Sequence, residues 1–121
     1  MKPASNKTVE YLFTELIKTL SYIIEEKDRF LRGHADRVAN LCVAFGGYLE
    51  LSKLEIKHIY LAGLLHDVAK IYLPNEILGK TESLTANELL MVRQHPVIGE
   101  RILAHLTILK DALPIIRQHH E

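Results

Sequence analysis

Seven histidines and no tryptophan occur in a chain of 121 residues. Five of the histidines fall at predicted helix ends or beside a carboxylate. His34 opens a helix, and His66 is followed directly by Asp67. His95 closes a helix before Pro96, and His119-His120 stand next to Glu121. Neutral imidazoles mixed with carboxylate suit borderline divalent ions such as Zn, Mn, Fe or Ni. Helix C-terminal carbonyls carry partial negative charge, which favours a cation near His95 or His119. His66 and Lys70 are four apart and are expected on one helix face, so a ligand and a phosphate-binding cation would share a cleft. A lone histidine is by itself ordinary hydrogen-bonded packing, and a His-Asp pair is weak alone. The order and spacing of the whole set carry the reading. His58 and His105 fit no constellation and read as ordinary helix residues, while Cys42 falls on an apolar stripe and reads as core.

The elements that must position these side chains are helical. Val9, Leu12, Phe13, Leu16, Ile17, Leu20, Ile23 and Ile24 follow the three-four spacing of an amphipathic helix, closed by the charged run EEKDR at 25–29. A second helix runs from His34 with Val38, Leu41, Cys42, Phe45 and Leu49 on its apolar face. SKLE at 52–55 is a capping box that starts a helix over about 53–69. PNEIL predicts a short helix from Pro74, stopped by Gly79. TANE at 85–88 is a second capping box, and its helix reaches about His95, where Pro96 disfavours helical geometry in the residue before it. Further helices are expected over 96–106 and from 109 onward, the latter with Pro114 near its first turn. No stretch alternates as a strand would, so the predicted fold is a compact all-α domain.

Composition excludes several classes. Hydrophobic residues make up 48% and charged residues 25%, a globular balance, and the length fits one domain. Lys+Arg and Asp+Glu are both 15, so the basic surplus of a DNA-binding surface is missing. No apolar run approaches the roughly 18–20 residues of a membrane span, and the N-terminus lacks the apolar core of a signal peptide. One cysteine cannot form an internal disulfide. The expected location is the cytoplasm.

These residues resemble the HD superfamily of metal-dependent phosphohydrolases, and within it the HD-GYP domain of bacterial cyclic-di-GMP phosphodiesterases. GHADRVANL (33–41) resembles the first motif, and LAGLLHDVAK (61–70) the signature HD motif with its trailing lysine. Residues 73–103 are similar to the middle stretch, with the His95-Pro96 pair and Gly99 three residues after the proline. IIRQHHE (115–121) looks like the start of the motif that names the subfamily. The resemblance covers about residues 20–121, with 1–19 left as the first part of an amphipathic helix for packing or dimerisation.

The resemblance implies an HD-domain bundle of about six to seven helices holding up to two divalent ions (Fe, Mn, Zn, Ni or Mg). It makes His34, His66, Asp67, His95, His119 and His120 ligands, with Asp67 bridging. Lys70 would hold a phosphate oxygen, and Arg37 would assist substrate binding. The implied reaction is hydrolysis of a phosphodiester in a cyclic dinucleotide or related nucleotide ester. Three departures qualify this. Ala69 replaces the usual glycine before the lysine. Phe30 stands where some members carry a glutamate for a third metal. The chain stops at Glu121, before the GYP loop and a downstream helix that supplies a further aspartate. Weaker metal retention is therefore expected. So is a bare apolar face covered by self-association, as a homodimer or higher oligomer, or by an upstream or downstream partner domain. Two other readings remain: a catalytically inactive signalling or protein-interaction module, and a general HD nucleotide phosphohydrolase.

Overall fold

The structure, a computed structural model, describes residues 5–121, without the side chain of Arg29. The start of the predicted N-terminal stretch, residues 1–4, lies outside the described residues. The first helix, α1, spans Asn6–Lys27, and the Ser5 hydroxyl caps it by accepting the Thr8 amide. It therefore continues three residues into the charged run that was expected to close it. Phe13, Ile17, Leu20 and Ile24 face the core, while Leu12, Leu16 and Ile23 are exposed. A one-turn 3-10 segment, Arg29–Leu31, leads to Gly33, whose φ of 76° turns the chain into the second helix. Such a positive φ costs glycine little, because it has no Cβ.

Helix α2 spans His34–Tyr48 and α3 spans Lys53–Leu65. The predicted capping box at Ser52 and Glu55 is present in both directions. The pair crosses closely at Gly63, where an added Cβ would lie 2.8 Å from the Ala39 Cα. Helix α3 stops at Leu65 rather than 69, and Val68–Tyr72 continue as a 3-10 turn. Asp67 at this break has φ −104° and ψ 15°, the sparsely allowed bridge region where many active-site residues sit.

Helix α4 (Asn75–Leu78) and α5 (Ala86–Arg93) follow as expected, α5 from the Thr85–Glu88 capping box. Helix α6 spans His95–Leu103, so His95 begins a helix instead of ending one. Pro96 suits this first turn, where its missing amide hydrogen has no partner to lose. His105 accordingly lies in the turn after α6 and is not helical. A 3-10 turn at Thr107–Leu109 precedes α7, Leu113–Gln118, which starts later than position 109 and carries Pro114 in its first turn. No strand occurs among the described residues, and the all-α expectation holds. Leu61, Leu64 and Leu65 of α3 pack with Leu103, Leu109, Ala112 and Ile116 in one core. Gly99 lets α6 come close to the 3-10 turn and α7, since a Cβ there would touch Val68 and Ile116. This core places the ends of α3 and α7 and the starts of α2 and α6 around one point.

Candidate metal centre

That point is the Asp67 carboxylate. Its Oδ2 lies 3.0 Å from His66 Nε2, 3.8 Å from His34 Nε2 and 3.3 Å from Lys70 Nζ. Its Oδ1 lies 3.0 Å from His95 Nε2 and 3.6 Å from His119 Nε2. The two oxygens therefore face different sets of imidazoles. One potential ligand group is His34, His66 and Asp67; the other is Asp67, His95, His119 and His120. Ligand atoms within each group lie within 4.8 Å of one another. All six positions that the motif order singles out come together. Lys70 joins them from the 3-10 turn rather than from the face of a helix shared with His66.

Local backbone chemistry aims three of the rings. His66 Nδ1 lies 2.7 Å from the Gly63 carbonyl, His95 Nδ1 2.6 Å from Val92 O, and His119 Nδ1 2.6 Å from Ile116 O. Each acceptor is three residues earlier, in the last turn of the preceding or own helix. A ring that donates Nδ1–H to a carbonyl presents Nε2 as its ligand atom, the tautomer that metal-binding histidines commonly adopt. Helix-end carbonyls thus orient the rings of the site.

The donor set fits a divalent ion on this geometry. With Nδ1 committed, Nε2 of His66, His95 and His119 points at a carboxylate that can only accept. Without a cation, the 3.0 Å contacts of His66 and His95 each require a doubly protonated ring. His95 Nε2 and His119 Nε2 are themselves 3.1 Å apart, a separation that accommodates one hydrogen, not two. Several imidazolium charges beside Lys70 would repel in a partly buried site, whereas a divalent ion replaces the protons and satisfies the same lone pairs.

Titration behaviour agrees with a cation-seeking cluster. Burial opposes ionisation of Asp67, but hydrogen bonds from His119, His66 and His95 hold its carboxyl far below the usual range. Burial pulls His66 down, yet hydrogen bonding and charge from Asp67 carry it above the ordinary histidine value. Burial lowers His34, helped by charge on His66. Burial and charge on His119 lower His120.

The site opens on an apolar groove of about 780 Å³ between α2, α3 and α7, lined in part by Val38, Phe45, Leu49 and Ile115. Cys42 lines this groove half-buried and is not in the core, and burial pushes its thiol pKa up. Arg37 is turned elsewhere: its Nη1 donates to the Arg32 carbonyl at 3.2 Å. His58, read as an ordinary helix residue, lies in α3, with its Nε2 3.6 Å from Asp111 Oδ2. One residue escaped the sequence reading. Glu25, in the last turn of α1, is buried and accepts the Gly33 and Ala35 amides. Its signal was periodicity: it lies four residues after Ser21 and eight after Ile17, in phase with the buried edge of α1.

Comparison with known proteins agrees with the motif order. The HD domain family model matches residues 18–121. A cyclic di-GMP phosphodiesterase of Thermotoga maritima is 33% identical over 95% of this chain and 34% of its own length. The cyclic di-GMP phosphodiesterase response regulator RpfG of Xanthomonas campestris pv. campestris is 32% identical over 98% of this chain and 32% of its own. The 3'3'-cGAMP-specific phosphodiesterase 1 of Vibrio cholerae is 34% identical over 63% of this chain and 18% of its own. The chain belongs to the HD-domain family, and the relatives it matches are named as phosphodiesterases of cyclic di-GMP or 3'3'-cGAMP. It spans about a third of the length of the first two relatives. No helix among the described residues is long and apolar enough to cross a membrane.

Proposed function

We propose that this domain is a metal-dependent phosphodiesterase module that hydrolyses a cyclic dinucleotide. The observation that carries the reading is the division of Asp67, with one oxygen toward His34 and His66 and the other toward His95 and His119. A carboxylate so placed is suited to bridge two divalent ions. When bound, such a pair supplies an activated water and neutralises charge on the phosphate. His34, His66, His95, His119 and His120 would hold such ions together with Asp67. Lys70, which lines the groove beside Asp67, would meet a non-bridging phosphate oxygen as a point charge. Arg37 would reach the substrate only by leaving the Arg32 carbonyl. The apolar groove suits the flat face of a base while the phosphate lies at Asp67.

The names of the relatives favour a cyclic dinucleotide over a general nucleotide ester. Self-association belongs to the same reading, supported by exposed Leu12, Leu16 and Ile23 along α1; a monomeric sedimentation mass would remove it. The test of function is hydrolysis of cyclic-di-GMP and 3'3'-cGAMP by the manganese- or iron-loaded protein, beside Asp67→Asn. Cleavage of either by wild type alone supports the reading. Equal inactivity of both proteins, with metal demonstrably bound to wild type, overturns it.

A further inference from the structure

Helix α2 begins with the ligand His34 but has no side-chain cap of its own, because its N-cap is Gly33. The orphan amides at a helix start need acceptors, and here they come from another helix. Glu25 Oε2 accepts the Gly33 amide and Oε1 the Ala35 amide, each at 2.9 Å. The two bonds bracket His34 on both sides in the chain. Glu25 is only 8% exposed, and together with His34, His66 and Asp67 it lines a small, partly open cavity of about 30 Å³. His34 also differs from His66, His95 and His119 in lacking an Nδ1 bond to a carbonyl three residues earlier.

We propose that Glu25 is a positioning residue for the centre: it fixes the start of α2, and thereby sets His34 against His66 and Asp67. A buried carboxylate is expensive unless its oxygens are satisfied, and both oxygens are used here on the turn that carries the ligand. Helix α1 also reaches the first turn of α2 through Tyr22 Oη, which donates to Asp36 Oδ2 at 2.8 Å, but among the described residues only Glu25 accepts the amides on either side of His34. The Arg37 guanidinium packs over Gly33 from the solvent side and bonds to Arg32 O, which leaves the inward orientation to Glu25. The consequence is selective. Loss of Glu25 loosens the His34/His66 half of the centre and leaves the His95/His119/His120 half intact. The inference rests on the metal reading above for its effect on ions, but the effect on His34 itself is independent of metal.

The test compares wild type, Glu25→Ala and Glu25→Gln, with His34→Ala as the reference for loss of one ligand. Cobalt(II) titration, followed by visible absorbance, reads the two halves as two steps. Removing an outer partner of a metal ligand typically weakens affinity by about ten- to a hundred-fold. Glu25→Ala is expected to weaken the step that His34→Ala abolishes by that factor and to leave the other step unchanged. Glu25→Gln, which keeps one acceptor at the same reach, is expected to recover part of the loss. In the metal-free protein, the nuclear Overhauser contact between His34 and His66, whose ring centres are 5.3 Å apart, should fade in Glu25→Ala. The contact between His66 and His119, at 5.0 Å, should persist. If Glu25→Ala does not fold, Glu25→Gln carries both measurements. Wild-type titration and an unchanged His34–His66 contact in the variants overturn the proposal. A wild type that binds no cobalt overturns the metal reading instead, and the ring contacts then decide the role of Glu25.

Discussion

His95 and His119 bring their Nε2 atoms to 3.1 Å, while each turns Nδ1 onto a backbone carbonyl at 2.6 Å. Two imidazoles so constrained share at most one proton between them, and both also face Asp67 Oδ1. A divalent ion would relieve this frustration, and on the proposed reading the folded state would bind it better than the unfolded chain. Ligand present at about a hundred times its dissociation constant stabilises by roughly 2.7 kcal/mol. Manganese or zinc should therefore raise the melting temperature by several degrees, and a chelator should return it. Unchanged melting in saturating metal would count against a preformed centre.

The sign of the pH dependence should differ between metal-free and metal-loaded protein. Asp67 raises His66 above its unfolded value, so its stabilising contribution is complete below about pH 6.5 and is lost as pH rises through the folded value. Metal binding needs neutral rings and releases protons. Thermal scans at pH 6 and pH 8 should show the metal-induced gain growing with pH. A gain that shrinks toward pH 8 would contradict the assignment of His66 as a ligand.

Lys70 and Asp67 should separate by function. Lys70→Ala removes a cation 3.3 Å from Asp67 Oδ2 but none of the metal-ligating groups. Its metal content should match wild type, while turnover falls about a hundred- to thousand-fold, the cost of losing one charge-stabilising donor. A Lys70→Ala protein that loses its metal instead would make Lys70 a structural partner of Asp67.

The crossing of α2 and α3 should be intolerant of one methyl group. In Gly63→Ala the new Cβ meets the Ala39 backbone at 2.8 Å, and the helices must part. Overpacking of this kind costs about 1–3 kcal/mol. Because α2 carries His34 and the end of α3 carries His66, cobalt affinity at that half should fall together with stability in denaturant titration. Stability loss with unchanged affinity would show that the crossing does not transmit to the site.

Much of this architecture was legible in the residues themselves. Both capping boxes, the stop at Gly79 and the apolar stripes of α1 and α2 mark their helices, because caps and periodicity act locally. The six candidate ligands were legible through their order along the chain. What sequence could not supply was the geometry at the break after Leu65. There the His66 ring takes the Gly63 carbonyl and Asp67 leaves helical dihedrals, so Lys70 reaches the carboxylate from a 3-10 turn. Pro96 misled in the same way, since a residue that discourages a helix before it also suits the first turn of the next. Glu25 was hidden by its neighbours: it opens the charged run expected to close α1, its phase with Ile17 and Ser21 is its one mark in the sequence, and its contacts with Gly33 and Ala35 come only with the tertiary fold.

Asp67, with one oxygen toward each histidine set, is the residue proposed to join two metal positions. Elemental analysis of the purified, metal-loaded and gel-filtered chain, beside Asp67→Asn and His66→Ala, tests it most directly. Close to two divalent ions per wild-type chain are expected, with Asp67→Asn losing both positions and His66→Ala keeping the one beside His95 and His119. No retained metal in wild type, or two ions undiminished in Asp67→Asn, would contradict it.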